Sequence, residues 1–267
     1  MVIRKHKSHK KQSKKTNFSK KRKTNNRKSY KSRKNNKRYT RKVKGGVYDK
    51  EQMIGDIEKI GDIKTGLFPR ELAEKIYNIA SIFKPESKEE LIKAVDEWCS
   101  NKEEAINKYG QISTWDTSLI KDMSELFSEK LNFNEDISNW DVSKVENMSK
   151  MFEYAKSFNQ PLNNWNVSNV KDMEGMFYNA KSFNQPLNNW NVSNVKIMTD
   201  MFSGSNSFNQ SLNNWNVSNV ENMEGMFRRA FSFNQILNNW NVSNVKNFSY
   251  MFDNSNMEEL SQWYLRR

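Results

Sequence analysis

Four triplets of polar side chains recur at one spacing along this sequence: Asn164, Asn166 and Ser168; Asn189, Asn191 and Ser193; Asn214, Asn216 and Ser218; and Asn239, Asn241 and Ser243. An amide both donates and accepts hydrogen bonds, and so does a hydroxyl. Their chemistry is that of hydrogen-bonded recognition, of a sugar or an extended polypeptide backbone, and not of proton transfer. The sequence offers little for a reaction. Its two histidines, His6 and His9, both lie near the start, and Cys99 is the only cysteine. That excludes an internal disulfide framework, a Cys-rich metal site and a His-based triad in the body of the chain. There is no phosphate-cradling glycine loop and no nucleophile elbow. The carboxylates fall at positions suited to helix exteriors and caps instead of a cleft. The expectation is a non-enzymatic protein that needs no cofactor and no metal.

A second chemistry is electrostatic. Residues 1–44 hold 21 Lys and Arg and no Asp or Glu, leaving 23 basic against 31 acidic residues in the remainder, a net of −8. A basic stretch joined to an acidic body predicts a separate interaction arm. The few apolar residues there offset too little chain entropy for a core, so the arm is expected to be disordered in isolation. Lys20, Lys21, Arg22 and Lys23 fit the short basic pattern of nuclear import, and the whole arm suits nucleic-acid phosphates or another polyanion. No zinc-ligand set or helix-turn-helix accompanies the charges, so base-specific reading is not expected.

The polar triplets owe their spacing to a 25-residue repeat. Trp115, Trp140, Trp165, Trp190, Trp215 and Trp240 form one row, and Phe127, Phe152, Phe177, Phe202, Phe227 and Phe252 another. Met123, Met148, Met173, Met198 and Met223 keep the period, as do Phe133, Phe158, Phe183, Phe208 and Phe233. A single unit cannot bury its large apolar side chains, whereas stacked copies can. Trp190 and Val192, two apart, predict a short strand within Leu187–Val195. Val195, Met198, Met201, Phe202 and Ser205 then predict a short helix, with Ser193 as its N-cap and capping boxes at Ser143/Glu146 and Ser218/Glu221. The expected fold is an α/β repeat solenoid, with the Asn and Ser triplets facing out on a concave side. Asn159, Asn184, Asn209 and Asn234 are expected to form a ladder, each side chain bonding backbone of the adjacent coil.

The unit LNNWNVSNVKDMEGMF resembles the BspA-like leucine-rich-repeat group, which includes mycoplasma surface lipoproteins and members in giant DNA viruses and algae. The resemblance covers about residues 88–255. It implies a leucine-rich-repeat-like solenoid with a binding role and carries no catalytic residues. A Lys/Arg-rich leader ending in Lys44-Gly45-Gly46 is similar to those of many giant-virus proteins. Exported bacterial members carry a signal segment. MVIRKHKS is followed by no apolar run, so an intracellular or virion location is expected.

The organisation that follows is a basic arm (1–46), a helical N-terminal cap region (47–111), six repeats (112–255) and a C-terminal capping helix (256–267). Ser87 with Glu90, then Ser100 with Glu103, are capping boxes for two helices of the cap. The function expected is a monomeric interaction solenoid that binds an unidentified protein partner, with a polyanion-binding arm and no membrane span. The run Leu67-Phe68-Pro69-Arg70-Glu71-Leu72 loosely resembles the opening of an F-box, so a ubiquitin-ligase substrate adaptor is one alternative and a structural virion component another.

Deleting one whole unit, residues 166–190, keeps every row in register and should leave a shorter, somewhat less stable, folded protein. Deleting residues 166–177 sets one row against another and should abolish cooperative thermal unfolding. Equal damage from both would exclude a stacked repeat.

Overall fold

The structure, a computed structural model, describes residues 82–257 and 261–265. The described residues all fall in one compact unit. Two helices open it: α1 (Lys88–Ser100) and α2 (Lys102–Tyr109). Ser87 caps α1 by accepting the Glu90 N–H, and Glu90 Oε2 accepts the Glu86 N–H. The cap of α2 is Asn101, which accepts from the Glu104 N–H; the expected cap, Ser100, instead donates to the Asp96 carbonyl. Gly110, at φ +72°, ends α2 in the left-handed region that favours glycine. Leu91, Ala94, Val95 and Trp98 bury one face of α1, and the Trp98 ring meets Trp115 edge-on at 5.9 Å.

The repeats themselves correct the α/β expectation. Among the described residues from 115 to 257 there is no α-helix, and no strand pairs into a sheet. What remains of a sheet is five isolated parallel bridges, linking Asp122, Asn147, Asp172, Ile197, Asn222 and Asn247 in sequence. The predicted strand is replaced by two successive turns, closed by Trp190 N–H to Leu187 O and Val195 N–H to Val192 O. The predicted helix fails because two residues per unit have positive φ. One row holds Glu125, Lys150, Gly175, Asp200, Gly225 and Tyr250, and the other, four residues on, runs from Glu129 to Asn254. A left-handed residue ends any right-handed helix, so neither the Ser193 N-cap nor the two expected capping boxes has a helix to cap.

The backbone is satisfied in another way. The N–H groups of Met173, Gly175, Phe177 and Asn179 donate to the carbonyls of Ile197, Thr199, Met201 and Ser203 in the next unit, at 2.8–3.0 Å. The N–H groups between them close three-residue turns, as Met176 does on Met173 and Tyr178 on Gly175. The next unit repeats the pattern, so alternate peptides line up into four hydrogen-bonded columns that run through the stack. Every N–H in these columns points toward the following unit. A fifth column runs the other way, from Glu146 N–H to Lys121 O through Lys246 N–H to Glu221 O.

The rings follow the same register. The first phenylalanine row stacks at 5.4–5.7 Å between centroids and within 6° of parallel. The second stacks at 5.9–6.0 Å. Offset stacks at these distances add about 0.5–1.5 kcal/mol each beyond the area they bury. From Trp140 to Trp240 each indole N–H of the row donates to the carbonyl 28 residues earlier, as Trp190 does to Leu162, Trp215 to Leu187 and Trp240 to Leu212, whereas Trp115 donates to Gly110 O. At two positions a neighbouring side chain takes up the space of a Cβ: one on Gly225 would meet the Asp200 carboxylate, and one on Gly204 the Asn179 amide.

Trp190→Ala should cost about 3–5 kcal/mol in denaturant unfolding, from lost burial and the cavity left behind. Trp190→Phe should cost far less, about 1 kcal/mol, because the Leu162 carbonyl keeps its bond from the Trp165 N–H. Similar losses for the two variants would make the indole N–H, and not the ring, the dominant contribution.

Candidate functional site

The recurring Asn and Ser triplets lie where the apolar residues leave them. Trp165, Val167 and Val170 are buried, while Asn164, Asn166 and Asn169 between them are exposed and Ser168 is half-buried. The eight asparagines of the candidate strip are all exposed; Ser193 and Ser218 are half-buried and Ser243 is exposed.

Their hydrogen bonds separate structural roles from free capacity. Asn166 Oδ1 accepts the Ser168 N–H at 3.2 Å, an Asx turn, and Asn191, Asn216 and Asn241 do the same with Ser193, Ser218 and Ser243. The Nδ2 groups of these four asparagines donate to nothing among the described residues. The serine carbonyls are used by the following unit: Asn194 Nδ2 bonds Ser168 O, Asn219 bonds Ser193 O and Asn244 bonds Ser218 O. Asn189 and Asn239 are tied through their backbone N–H groups to Oδ1 of Asn163 and Asn213.

The expected ladder of Asn159, Asn184, Asn209 and Asn234 forms, with each backbone N–H donating to Oδ1 of the asparagine 25 residues before it, beginning at Asn134. Gln160 and Gln185 reinforce it from Nε2 to the same asparagines.

Beside the strip, Asn194, Asn219 and Asn244 with Lys196, Glu221 and Lys246 line an open groove of about 430 Å³. Lys246 bonds Glu221 at 2.6 Å, and Lys171 bonds Glu146 likewise three units earlier. These lysines hold both exposed carboxyls below the usual glutamate range. The groove is thus polar and near charge balance. Its walls carry the Lys246–Glu221 pair, a further lysine at Lys196, and the three amides. Among the described residues no group of three or more His, Cys, Asp and Glu could hold a metal ion, and no helix is long and apolar enough to cross a membrane.

The turn row begins with carboxylates. Asp116 and Asp141 occupy the positions of Asn166 and accept the Ser118 and Ser143 N–H groups. Lys84, bonded to Asp116 at 2.6 Å, and then Ser118 lower the Asp116 pKa to about 2. Ser143 lowers that of Asp141. Asp therefore fits the turn as well as Asn does.

Three expectations fall outside the described residues: Lys20, Lys21, Arg22 and Lys23 with the rest of the 1–46 arm, the helical cap region from 47 to 81, and within it the F-box-like run from Leu67 to Leu72. One residue of the expected C-terminal cap lies off the 25-residue period yet joins the tryptophan row. Trp263, on α3 (Gln262–Leu265), stacks on Trp240 at 6.1 Å and donates its Nε1–H to Leu237 O at 2.8 Å. It prolongs the tryptophan row after a loop two residues short of the full period, and Tyr264 covers Phe252 edge-on.

A family model described as "Mycoplasma protein of unknown function, DUF285" matches residues 93–210 and, in a second overlapping match, 187–266. Together the two matches cover well over half of the chain. No curated protein and no solved structure matches it.

Lys84→Met should raise the Asp116 midpoint from about 2 toward the ordinary 3.8, read by NMR titration. Because the folded value lies below the unfolded one, the contribution of this carboxylate to stability is complete above about pH 4. It is lost as pH falls toward 2. The pair is exposed enough for solvent to screen much of it. An unmoved midpoint would assign the shift to the Ser118 turn alone.

Proposed function

Since the chain belongs to the family described as Mycoplasma protein of unknown function, DUF285, the BspA-like repeat family, we propose that its repeats act as a non-enzymatic binding scaffold. The observation that carries the reading is the row of unpartnered amide donors at Asn166, Asn191, Asn216 and Asn241. Each is held by its own Asx turn, one per unit. Fixed donors at a constant spacing suit a ligand that itself repeats: an extended stretch of a protein partner, or a glycan. The preorganised turns lower the ordering cost of such an encounter.

The basic arm adds a second, non-specific contact to nucleic acid or another polyanion. Its Lys/Arg-rich sequence ending in Lys44-Gly45-Gly46 supports placing this member in a giant DNA virus, acting inside the infected cell or carried in the particle.

The turn chemistry supplies a clean variant. Asn166→Asp, Asn191→Asp and Asn216→Asp together keep the turn acceptor, as Asp116 and Asp141 do, and remove only the free donors. The triple variant should retain its melting temperature within the effect of about 0.5 kcal/mol per site usual for exposed changes. It should lose capture of the partners that the unaltered chain retains in affinity purification. Unchanged capture would remove the strip from the account.

Salt separates the arm's contribution. Nucleic-acid binding by the full chain should fall with a log–log slope of about −0.7 to −0.9 per neutralised phosphate. Residues 47–267, net −8, should not bind. Equal binding by the shortened chain would rule out the arm.

A further inference from the structure

Each unit directs four column N–H groups at the unit after it, and in the last unit three of the corresponding donors find no acceptor. Among the described residues, the N–H groups of Tyr250, Phe252 and Asn254 make no hydrogen bond, whereas their equivalents Gly225, Phe227 and Arg229 bond Ser249, Met251 and Asp253 at 2.8–2.9 Å. Beside these three donors opens a cavity of about 400 Å³ lined by Tyr250, Phe252, Asp253, Ser255, Met257 and Tyr264. Tyr250 is 61% exposed. The tryptophan and phenylalanine rows are closed at this end by Trp263 and Tyr264, so the rings are covered while this part of the peptide edge is open.

We infer that this edge is a docking surface for a polypeptide segment of a partner protein, coiled in the same alternating turns as the repeats, which adds one further rung through its main-chain carbonyls. The chain itself shows what such donors accept. In all five internal junctions they are met by carbonyls of every second residue of a neighbouring segment. Three donors set two residues apart call for a polymer with acceptors at the same pitch, which a small anion cannot supply. The open edge therefore recruits a segment coiled like the repeats, by the same pairing that joins the units. The apolar walls from Tyr250, Met257 and Tyr264, with the Asp253 carboxylate among them, favour apolar and basic side chains on the incoming segment.

A second copy of this chain does not fit the same role. Its complementary carbonyls, on Asp122, Ser124, Leu126 and Ser128, lie at the end closed by α1. There Lys88 bonds the Asp122 carboxylate and the Ser124 hydroxyl, Lys130 bonds Asp96, and Ser124 and Leu126 are buried. This surface is separate from the lateral asparagine strip and does not depend on the binding proposed there.

The test uses the full chain and a synthetic peptide of residues 221–230, the segment whose carbonyls meet the N–H groups of Met198, Asp200, Phe202 and Gly204 within the stack. In amide hydrogen exchange followed by NMR, Tyr250, Phe252 and Asn254 should exchange at least about tenfold faster than Gly225, Phe227 and Arg229 when no peptide is present. Saturating peptide should slow those three selectively, and a scrambled peptide should not. The inference is overturned if the three amides are already protected, if the peptide leaves them unchanged, or if both peptides protect them equally. It is overturned as well if their protection rises with protein concentration alone, which would assign the edge to a second copy.

Discussion

A buried backbone amide needs a partner, and in these repeats the partner comes from the next unit or from a turn three residues back. Alternate peptides divide the work: one set closes turns within a unit, the other bridges units. Leaving one such group unpaired in the interior costs about 1–3 kcal/mol, more than a made bond returns. A shift of one residue between neighbours would therefore orphan a whole row of peptides and at the same time unstack the rings. The 25-residue register is the constraint from which the rest follows, and it explains how a core of this size stands without a helix or a sheet among residues 115–257.

That constraint also decides which side chains remain available for recognition. Rings and methionines are fixed by stacking, and the Asn134-to-Asn234 ladder is fixed by its bonds to backbone. The left-handed rows are fixed by conformation. What is left is a set of exposed amides, hydroxyls and paired charges, presented once per unit at a spacing the core dictates. The constancy of the asparagine strip thus has a structural origin in the Asx turns, and its binding capacity lies in the second half of each amide. The two ends are unlike because the columns have a direction: one end is roofed by α1, and the other keeps three donors facing outward.

Much of this was legible in the residues. The Trp, Phe and Met rows announced the stack, and asparagines recurring at equivalent positions announced the ladder. The local conformation was not legible, for a definite reason. Apolar spacings of three, two and three from Leu187 to Val195 fit a pair of turns as well as a strand, and spacings of three and four from Val195 to Ser205 fit alternating turns as well as a helix. The deciding residues, those at positive φ, are mostly not glycine: Glu125, Lys150, Tyr154, Asp200 and Arg229 conceal the requirement. Only Gly175, Gly204 and Gly225 betray it, the first and last two periods apart. The Asx turns carried a readable signal in Asp116-x-Ser118 and Asp141-x-Ser143, where Asp replaces Asn ahead of the same serine. Trp263 was legible as a capping residue but not as a member of the tryptophan row, because a shortened loop moved it off the period.

The account stands on hydrogen bonds between residues 24 apart, and these can be observed one at a time. Scalar couplings across hydrogen bonds, measured by NMR on the isotope-labelled chain, should link the amide nitrogens of Met173, Gly175, Phe177 and Asn179 to the carbonyl carbons of Ile197, Thr199, Met201 and Ser203. Couplings from those nitrogens to carbonyls four residues earlier in the same unit would reveal helices in the repeats and contradict it.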